Sequence, residues 1–371
     1  MRGLHGKNLM AQRKQLGIAV IGSGRIGSMR ARQALEHPAV NFVAVSDLDA
    51  GNARTLAEKV GAHVHSADNL EIIARSDVDA VIVSTSEGEH LEPVLQALEL
   101  GKPVLVEKPI ALNLADADRI IAAAEKKGVE MRVGYSRRYK DLRYLLAKEQ
   151  ILQGRLGTVT GAAARVYNNR SNGLAILRRN PQATPVVDAL TYYVDLMNWL
   201  LEGAHPVEVF ARGQKGVLQA AGYDVDDVNW AIITYSNGAV VNLGVSYALP
   251  EKYPALGHAT RFEILGTEGV ILLDGDHTDQ MMYTNKGVPH VYLPDHYVNM
   301  VFLNSGTPGD WALGELWGAI ANETRAWLDH LVTGKKCALA TPREARTTLE
   351  TTLAIQLAAE TGKVVTLPLS A

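Results

Sequence analysis

The 371-residue sequence has a single cysteine, Cys337. One cysteine closes no internal disulfide and anchors no zinc cluster, so a disulfide-stapled secreted scaffold is not expected and a reducing, cytoplasmic setting is. No apolar run approaches the roughly 20 residues needed to cross a bilayer. The opening stretch carries Arg2, Lys7, Arg13 and Lys14 with no signal-length apolar segment behind it, and residues 1–15 read as a frayed tail. Low-complexity tracts and long charge runs are also lacking, which excludes wholesale disorder. Nor does one sign of charge dominate. Lys+Arg number 37 against 40 Asp+Glu, a net charge of −3, and a general nucleic-acid binder would show a basic excess instead.

What is present is an ordinary globular composition, 47% hydrophobic and 21% charged. The length suggests two domains of about 100–200 residues each. The first third alternates apolar runs (16–22, 41–46, 80–84, 103–106, 130–133) with helical patterns (25–36, 50–60, 88–100, 114–127). Continuously apolar strands between helices mean a parallel sheet covered on both faces, wound right-handedly. The spacing therefore predicts a doubly wound, parallel-sheet domain over 16–135. From 136 to 371 the expectation is an α+β domain with an antiparallel or mixed sheet and helices on one face. Its strands are 158–167, 206–212, 228–236, 239–247, 261–266, 270–274 and 363–367, and its helices 138–153, 186–201, 315–332 and 342–361. The last helix and strand could pack back on the first domain.

The run Gly22-Ser23-Gly24-Arg25-Ile26-Gly27 fits G-x-G-x-x-G between a strand and a helix. The first glycine permits a tight turn, the second a close approach of pyrophosphate, and the third helix–strand packing. The helix N-terminus behind it presents N–H groups to phosphate oxygens. Asp47 ends the second strand near the position, about 20 residues on, where a ribose-binding acid is expected. A carboxylate there accepts both ribose hydroxyls and repels a 2′-phosphate, favouring NAD over NADP. The competing role is the N-cap of the next helix, which Asp49 fills as well.

Two further patterns stay open on residue chemistry alone. Glu107-Lys108-Pro109 ends a strand and is either crevice chemistry or a surface pair before a turn. Asp188, Tyr192 and Asp195 fall on one helix face beside the core-like Leu196, Trp199 and Leu200. They are either a proton-shuttling group or a buried tyrosine with its partners. The segment Tyr167-Asn168-Asn169-Arg170 reads as a loop that lines a sugar site or is merely polar. Asp274, Asp276, His277 and Asp279 crowd one turn without a His-x-x-x-His or cysteine pair, so no metal is expected.

Taken with Thr85-Ser86-Glu87-Gly88-Glu89-His90 and Gly134-Tyr135-Ser136-Arg137-Arg138-Tyr139, these motifs occur in an order that resembles the Gfo/Idh/MocA oxidoreductase family. The resemblance covers residues 16 to about 367. It implies a Rossmann domain followed by a domain whose open sheet commonly packs against a second subunit, hence a homodimer or homotetramer. It also implies NAD, with NADP the lesser alternative, and Lys108 touching both substrate and nicotinamide. The catalytic set expected is Lys108, Tyr192 and Asp188. Inositol dehydrogenases of the family carry a histidine base where this chain has Tyr192; the glucose–fructose oxidoreductase and dimeric dihydrodiol dehydrogenase branches carry tyrosine. The cofactor set is Gly22, Ser23, Gly24, Arg25, Ile26, Gly27, Asp47, Ser84, Thr85, His90, Glu107 and Lys108. His90 is open to a purely structural role. The substrate set is Lys108, Arg138, Asn168, Asp188 and Tyr192.

The function expected is hydride transfer between NAD and a secondary alcohol of a sugar, glycoside, sugar acid or cyclitol. Its partner is then a small polyhydroxylated molecule, with no nucleic acid or membrane involved. A dihydrodiol dehydrogenase is the alternative enzyme. A non-catalytic dinucleotide-sensing regulator is the alternative of another class, disfavoured by Lys108, Asp188 and Tyr192. A free tyrosine has a pKa of about 10. Lys108 within ~4–6 Å is expected to lower it.

Overall fold

The computed structural model describes residues 15–140, 142–254, 259–274, 281–290, 293–302, 310–312 and 315–369. The apolar runs of the first third form β1 (Leu16–Ile21), β2 (Val40–Ser46), β3 (Val64–Ser66), β4 (Ala80–Val83), β5 (Val104–Glu107) and β6 (Met131–Gly134). Every residue of β1, β4 and β5 is buried, as strands covered on both faces require. Between the strands run α1 (Arg25–Glu36), α2 (Ala50–Val60), α3 (Asn69–Ala74), α4 (Leu91–Glu99) and α5 (Leu114–Lys127). The sheet order is β3-β2-β1-β4-β5-β6. It reverses between β1 and β4, the switch point at which open α/β sheets bind ligands beyond their strand ends.

The rest of the chain supplies α6 (Leu142–Leu152), β7 (Val159–Asn169), α7 (Arg170–Arg179), a π turn (Val186–Leu190) running into α8 (Thr191–Leu200), β8 (Pro206–Gln214), α9 (Val217–Ala220), β9 (Val228–Tyr235), β10 (Val240–Leu249), β11 (Ala259–Gly266) and β12 (Val270–Asp274). There follow β13 (Met281–His290), β14 (Leu293–Phe302), β15 (Asp310–Ala312), β16 (Glu315–Trp317), α10 (Ala319–Thr333), α11 (Pro342–Thr361) and β17 (Val365–Thr366). The large sheet is ordered β12-β11-β7-β10-β9-β8-β17. Its pairs are antiparallel except β7 with β10, which is parallel. Strand alternation gives it two unlike faces. Val209, Ala211, Ala231, Ile233, Leu243 and Val245 are buried, whereas Phe210, Trp230 and Ile232 remain exposed. Thr341 and Glu344 close a reciprocal capping box that starts α11 behind Pro342.

Two compact units emerge, and they do not follow a single cut near residue 135. One comprises the described residues up to Val106 with Ala122–Met131 and Glu323–Ala338. The other comprises those of Glu107–Ile121, Arg132–Asn322 and Leu339–Ala371. Within the first, the buried Arg30 guanidinium binds Glu323 at 2.6 Å and Thr324 at 2.7 Å, which explains why that stretch of α10 belongs there.

Several boundaries differ from the sequence expectation. The helix expected over 315–332 begins only at Ala319. Glu315–Trp317 is a strand, and Gly318, at φ +105, makes the turn between them. The helix expected over 138–153 splits into a 3₁₀ turn, Ser136–Tyr139, and α6. Asn168 and Asn169 are not in a loop. They end β7, and Arg170 opens α7 directly. The tail, 1–14, and three members of the acidic turn, Asp276, His277 and Asp279, lie outside the described residues.

Candidate active site

In the first unit the glycine loop is built as its spacing requires. Gly22 has φ +95, and a Cβ there would stand 2.6 Å from the Ser84 carbonyl oxygen. A Cβ on Gly27 would stand 1.8 Å from the Gly22 carbonyl oxygen. Gly24 differs, with open space within 4 Å of that position. It is the N-cap of α1, has no capping side chain, and no acidic residue follows in the first turn. An uncovered helix N-terminus with room above its glycine suits a pyrophosphate. Asp47 holds the loop, its carboxylate accepting from Ser23 N at 2.8 Å and Asp49 N at 3.0 Å. The N-cap role falls to Asp49, which accepts from Asn52 N at 2.9 Å. Beyond β4, the hydroxyls of Ser84 and Thr85 are buried without a hydrogen-bond partner. Buried donors without partners are costly, and a ribose or carboxamide would supply the missing ones. The loop therefore fits a bound dinucleotide. His90 sits against this same loop. It is buried, with its ring nitrogen 3.4 Å from the Thr85 carbonyl oxygen. Arg25 is exposed and Ile26 half-buried at the start of α1.

In the second unit Lys108, Asp188 and Tyr192 come together. The Lys108–Pro109 peptide is cis. The Lys108 ammonium donates to the Asp188 backbone carbonyl at 3.0 Å and stands 3.6 Å from that residue's carboxylate. It also lies 5.0 Å from the centre of the Tyr192 ring. Arg137, buried, lies 5.5 Å from the same ring, and Tyr135 meets it edge-on at 6.1 Å. Asp188 belongs to the π turn before α8, a geometry that recurs at functional sites. Lys108 is 10% exposed and Asp188 28%, so this charged pair is reachable without being fully solvated. Glu107, just before Lys108, is buried.

Burial pushes the Tyr192 phenol above the ordinary tyrosine value. Lys108 and Arg137 oppose that shift, while Glu107 and Asp188 add to it. The expected effect of Lys108 thus has the right sign, but loss of water outweighs it. Tyr247 belongs to this group too, although no helical spacing points to it. Its hydroxyl donates to the Asp188 carboxylate, and burial together with that carboxylate holds the Tyr247 phenol well above the ordinary value. Tyr247 lies on β10, far from the helix in sequence, so only the sheet register brings it here.

One expected member of the substrate set, Arg138, takes another role. Arg138 is not available to a substrate. Its guanidinium makes a two-pronged, buried bond to Asp195 at 2.8 and 2.7 Å and lies 5.1 Å from the Trp199 ring. Asp195 is thereby also spoken for, despite its helical spacing from Tyr192. Asn168 is buried beside Tyr247, at the end of β7. Among the described residues, no group of three or more His, Cys, Asp and Glu side chains is placed to hold a metal ion.

Residues 16–135 match the NAD-binding Rossmann fold of the Gfo/Idh/MocA oxidoreductase family, and residues 144–272 match its C-terminal domain. The myo-inositol 2-dehydrogenase of Thermotoga maritima is 28% identical over 72% of this chain and 78% of its own length. The 2,7-anhydro-N-acetylneuraminate hydratase of Mediterraneibacter gnavus is 30% identical over 70% of this chain and 68% of its own. The scyllo-inositol dehydrogenase of Lactobacillus casei, crystallised with NAD(H) and scyllo-inositol, has the same fold. Its TM-score is 0.78 at 19% identity, over 95% of this chain and 99% of that one. Two domain models met in chain order across most of the sequence amount to a family assignment, and the chain belongs to the Gfo/Idh/MocA oxidoreductases.

Proposed function

We propose that this oxidoreductase interconverts a secondary alcohol of a sugar, glycoside, sugar acid or cyclitol with the corresponding ketone, using NAD. The observation that carries the reading is the joint placement of the Lys108 ammonium against Asp188 and the face of Tyr192. Bound NAD supplies the hydride acceptor in oxidation and NADH the donor in reduction. Gly22, Gly24, Gly27 and Asp47 would hold the dinucleotide, with the Ser84 and Thr85 hydroxyls completing the set.

Lys108 is positioned by Asp188 to stabilise negative charge on the reacting oxygen, since charge-assisted hydrogen bonds in a poorly solvated site are strong. Tyr192, kept neutral by burial, holds the proton that a carbonyl oxygen receives on reduction. In the oxidising direction Tyr192 must first ionise, and the Lys108 and Arg137 charges are the groups that favour it. Asp188 fixes Lys108, and Tyr247 fixes Asp188. The relatives named inositol dehydrogenases support a ring polyol as substrate. The test is NADH formation by purified protein with a panel of cyclitols, hexoses, glycosides, sugar acids and dihydrodiols. Turnover confined to dihydrodiols favours the alternative enzyme, and tight NAD binding with no turnover favours a sensor.

A further inference from the structure

The 3₁₀ turn Ser136–Tyr139 lays two consecutive arginines along α8. Arg138 anchors the turn. It grips Asp195 with both prongs and lies over Trp199, one and two helical turns beyond Tyr192. Asn322 of α10 adds a second tether, its side-chain amide donating to the Tyr139 carbonyl at 3.2 Å. Arg137 is set by that anchor against the first turn of α8. Its guanidinium carbon lies 5.5 Å from the centre of the Tyr192 ring and 5.9 Å from that of Tyr193. It is 1% exposed. Burying a cation is costly unless its surroundings compensate, and an aromatic face attracts a desolvated cation more strongly than an exposed one. A planar guanidinium suits this stacking better than an ammonium.

The Tyr192 phenol is surrounded by charges of both signs. Glu107 and Lys108 come from the end of β5, Asp188 from the π turn and Arg137 from the 3₁₀ turn. The phenols of Tyr135 and Tyr247 complete its titratable neighbours. The two carboxylates oppose ionisation of Tyr192, and the two cations favour it. Of these cations, Lys108 stands 3.6 Å from the Asp188 carboxylate, which offsets part of its field. An ammonium also titrates at about 10.4, close to the phenol's about 10, whereas a guanidinium keeps its charge throughout. Arg137 therefore supplies a positive charge that stays constant while Tyr192 exchanges its proton.

We infer that Arg137 is a positioning residue, a permanent cation stacked on Tyr192 that sets how readily this buried phenol gives up and regains its proton. It acts through Tyr192 and not on the substrate. The inference rests on the dehydrogenase reading and deepens it, because the benefit depends on the charge type of the group at 192. A tyrosine passes from neutral to anion, and a nearby cation eases that step. An imidazole passes from cation to neutral, and the same cation destabilises its protonated form.

The test places 3,5-difluorotyrosine at position 192 of the full chain and follows its ionisation by fluorine NMR, which needs no substrate. Arg137→Met should raise the apparent pKa of that ring by about 1 or more, the low end of what an opposite charge at this range does. Arg137→Lys should keep part of the difference. An unchanged pKa in Arg137→Met, or an equal rise in Arg137→Lys, would mean that Arg137 only packs, and overturns the inference. NADH formation is then measured at neutral pH with myo-inositol, D-glucose and D-glucuronate, for Arg137→Met alone and combined with Tyr192→His. With Tyr192 in place the substitution should slow turnover by about threefold or more, since it moves the acid–base group further from the working pH. With Tyr192→His it should leave the rate unchanged or raise it. An equal loss in both backgrounds is the mark of a packing defect and also overturns the inference. A shifted ring pKa without turnover of any compound would count against the dehydrogenase reading and leave the coupling of Arg137 to Tyr192 standing. Turnover with an unshifted pKa would do the reverse.

Discussion

Lys108 presents its ammonium to the face of the Tyr192 ring, 5.0 Å from its centre, while donating to the Asp188 backbone carbonyl at 3.0 Å. One cation is thus shared between a π surface, a backbone carbonyl and the Asp188 carboxylate 3.6 Å away. Its charge acts on the Tyr192 phenol, opposing the upward shift that burial imposes.

Tyr192→Phe should lower kcat by about 10²–10⁴-fold, the usual worth of a positioned acid or base. Combining it with Lys108→Ala should cost less than the product of the single losses, because groups acting as a unit are not additive. The pH dependence follows from the direction of the tyrosine shift. A phenol raised above the ordinary value of about 10 stays protonated through neutrality. The oxidation rate should therefore keep climbing with pH beyond the point where a free tyrosine ionises, and Tyr192→Phe should flatten the climb. Stopped-flow rates from pH 6 to 11 check both. A Phe variant with the wild-type rate and profile would move the proton elsewhere.

Arg138→Ala should act on stability rather than on substrate. It leaves Asp195 charged and buried without its partner, a change that typically costs about 3–5 kcal/mol. Urea denaturation should show the loss. KM for substrate in the surviving folded fraction should change little, whereas a large KM rise with unchanged stability would return Arg138 to the substrate set.

Most of the first unit was legible in the sequence because its signals are local. Apolar runs, a glycine spacing and an acid at a strand end each report on their own neighbourhood, and α5 spans 114–127 as its pattern indicates. The second unit was less legible where long-range contacts decide. Helical spacing groups Asp195 with Asp188 and Tyr192, but Arg138 claims Asp195. Tyr247 reaches Asp188 through strand pairing, which no short motif encodes. The polar run at 168–171 looks like a loop until β7 and α7 are seen to abut there.

Asp47→Ala should narrow the preference for NAD over NADP. It removes the negative charge at the ribose position together with the support that Ser23 N receives at 2.8 Å. Comparing kcat/KM for the two cofactors decides this. A wild-type enzyme that prefers NADP would contradict the assignment of Asp47.

The exposed face of the large sheet should be covered in solution by a second copy. Phe210, Trp230 and Ile232 lie on it, and Trp230 stacks over Gly244 of the neighbouring strand. Apolar patches of this kind usually mark interaction surfaces. Light scattering should report a dimer or tetramer, and Trp230→Glu should shift it toward monomer. A monomeric wild-type protein at micromolar concentration would rule this face out as an interface.

The central claim is that Lys108 serves the hydride-transfer chemistry itself and not the binding of dinucleotide. The direct measurement is a pre-steady-state trace of NADH absorbance on mixing NAD-loaded protein with an active polyol, for wild type and Lys108→Met, alongside NAD titration of both. The expected result is NADH formation slowed at least 10²-fold in the variant, with NAD affinity within about twofold of wild type. Wild-type NADH formation by Lys108→Met, or a loss fully explained by weakened NAD binding, would contradict it.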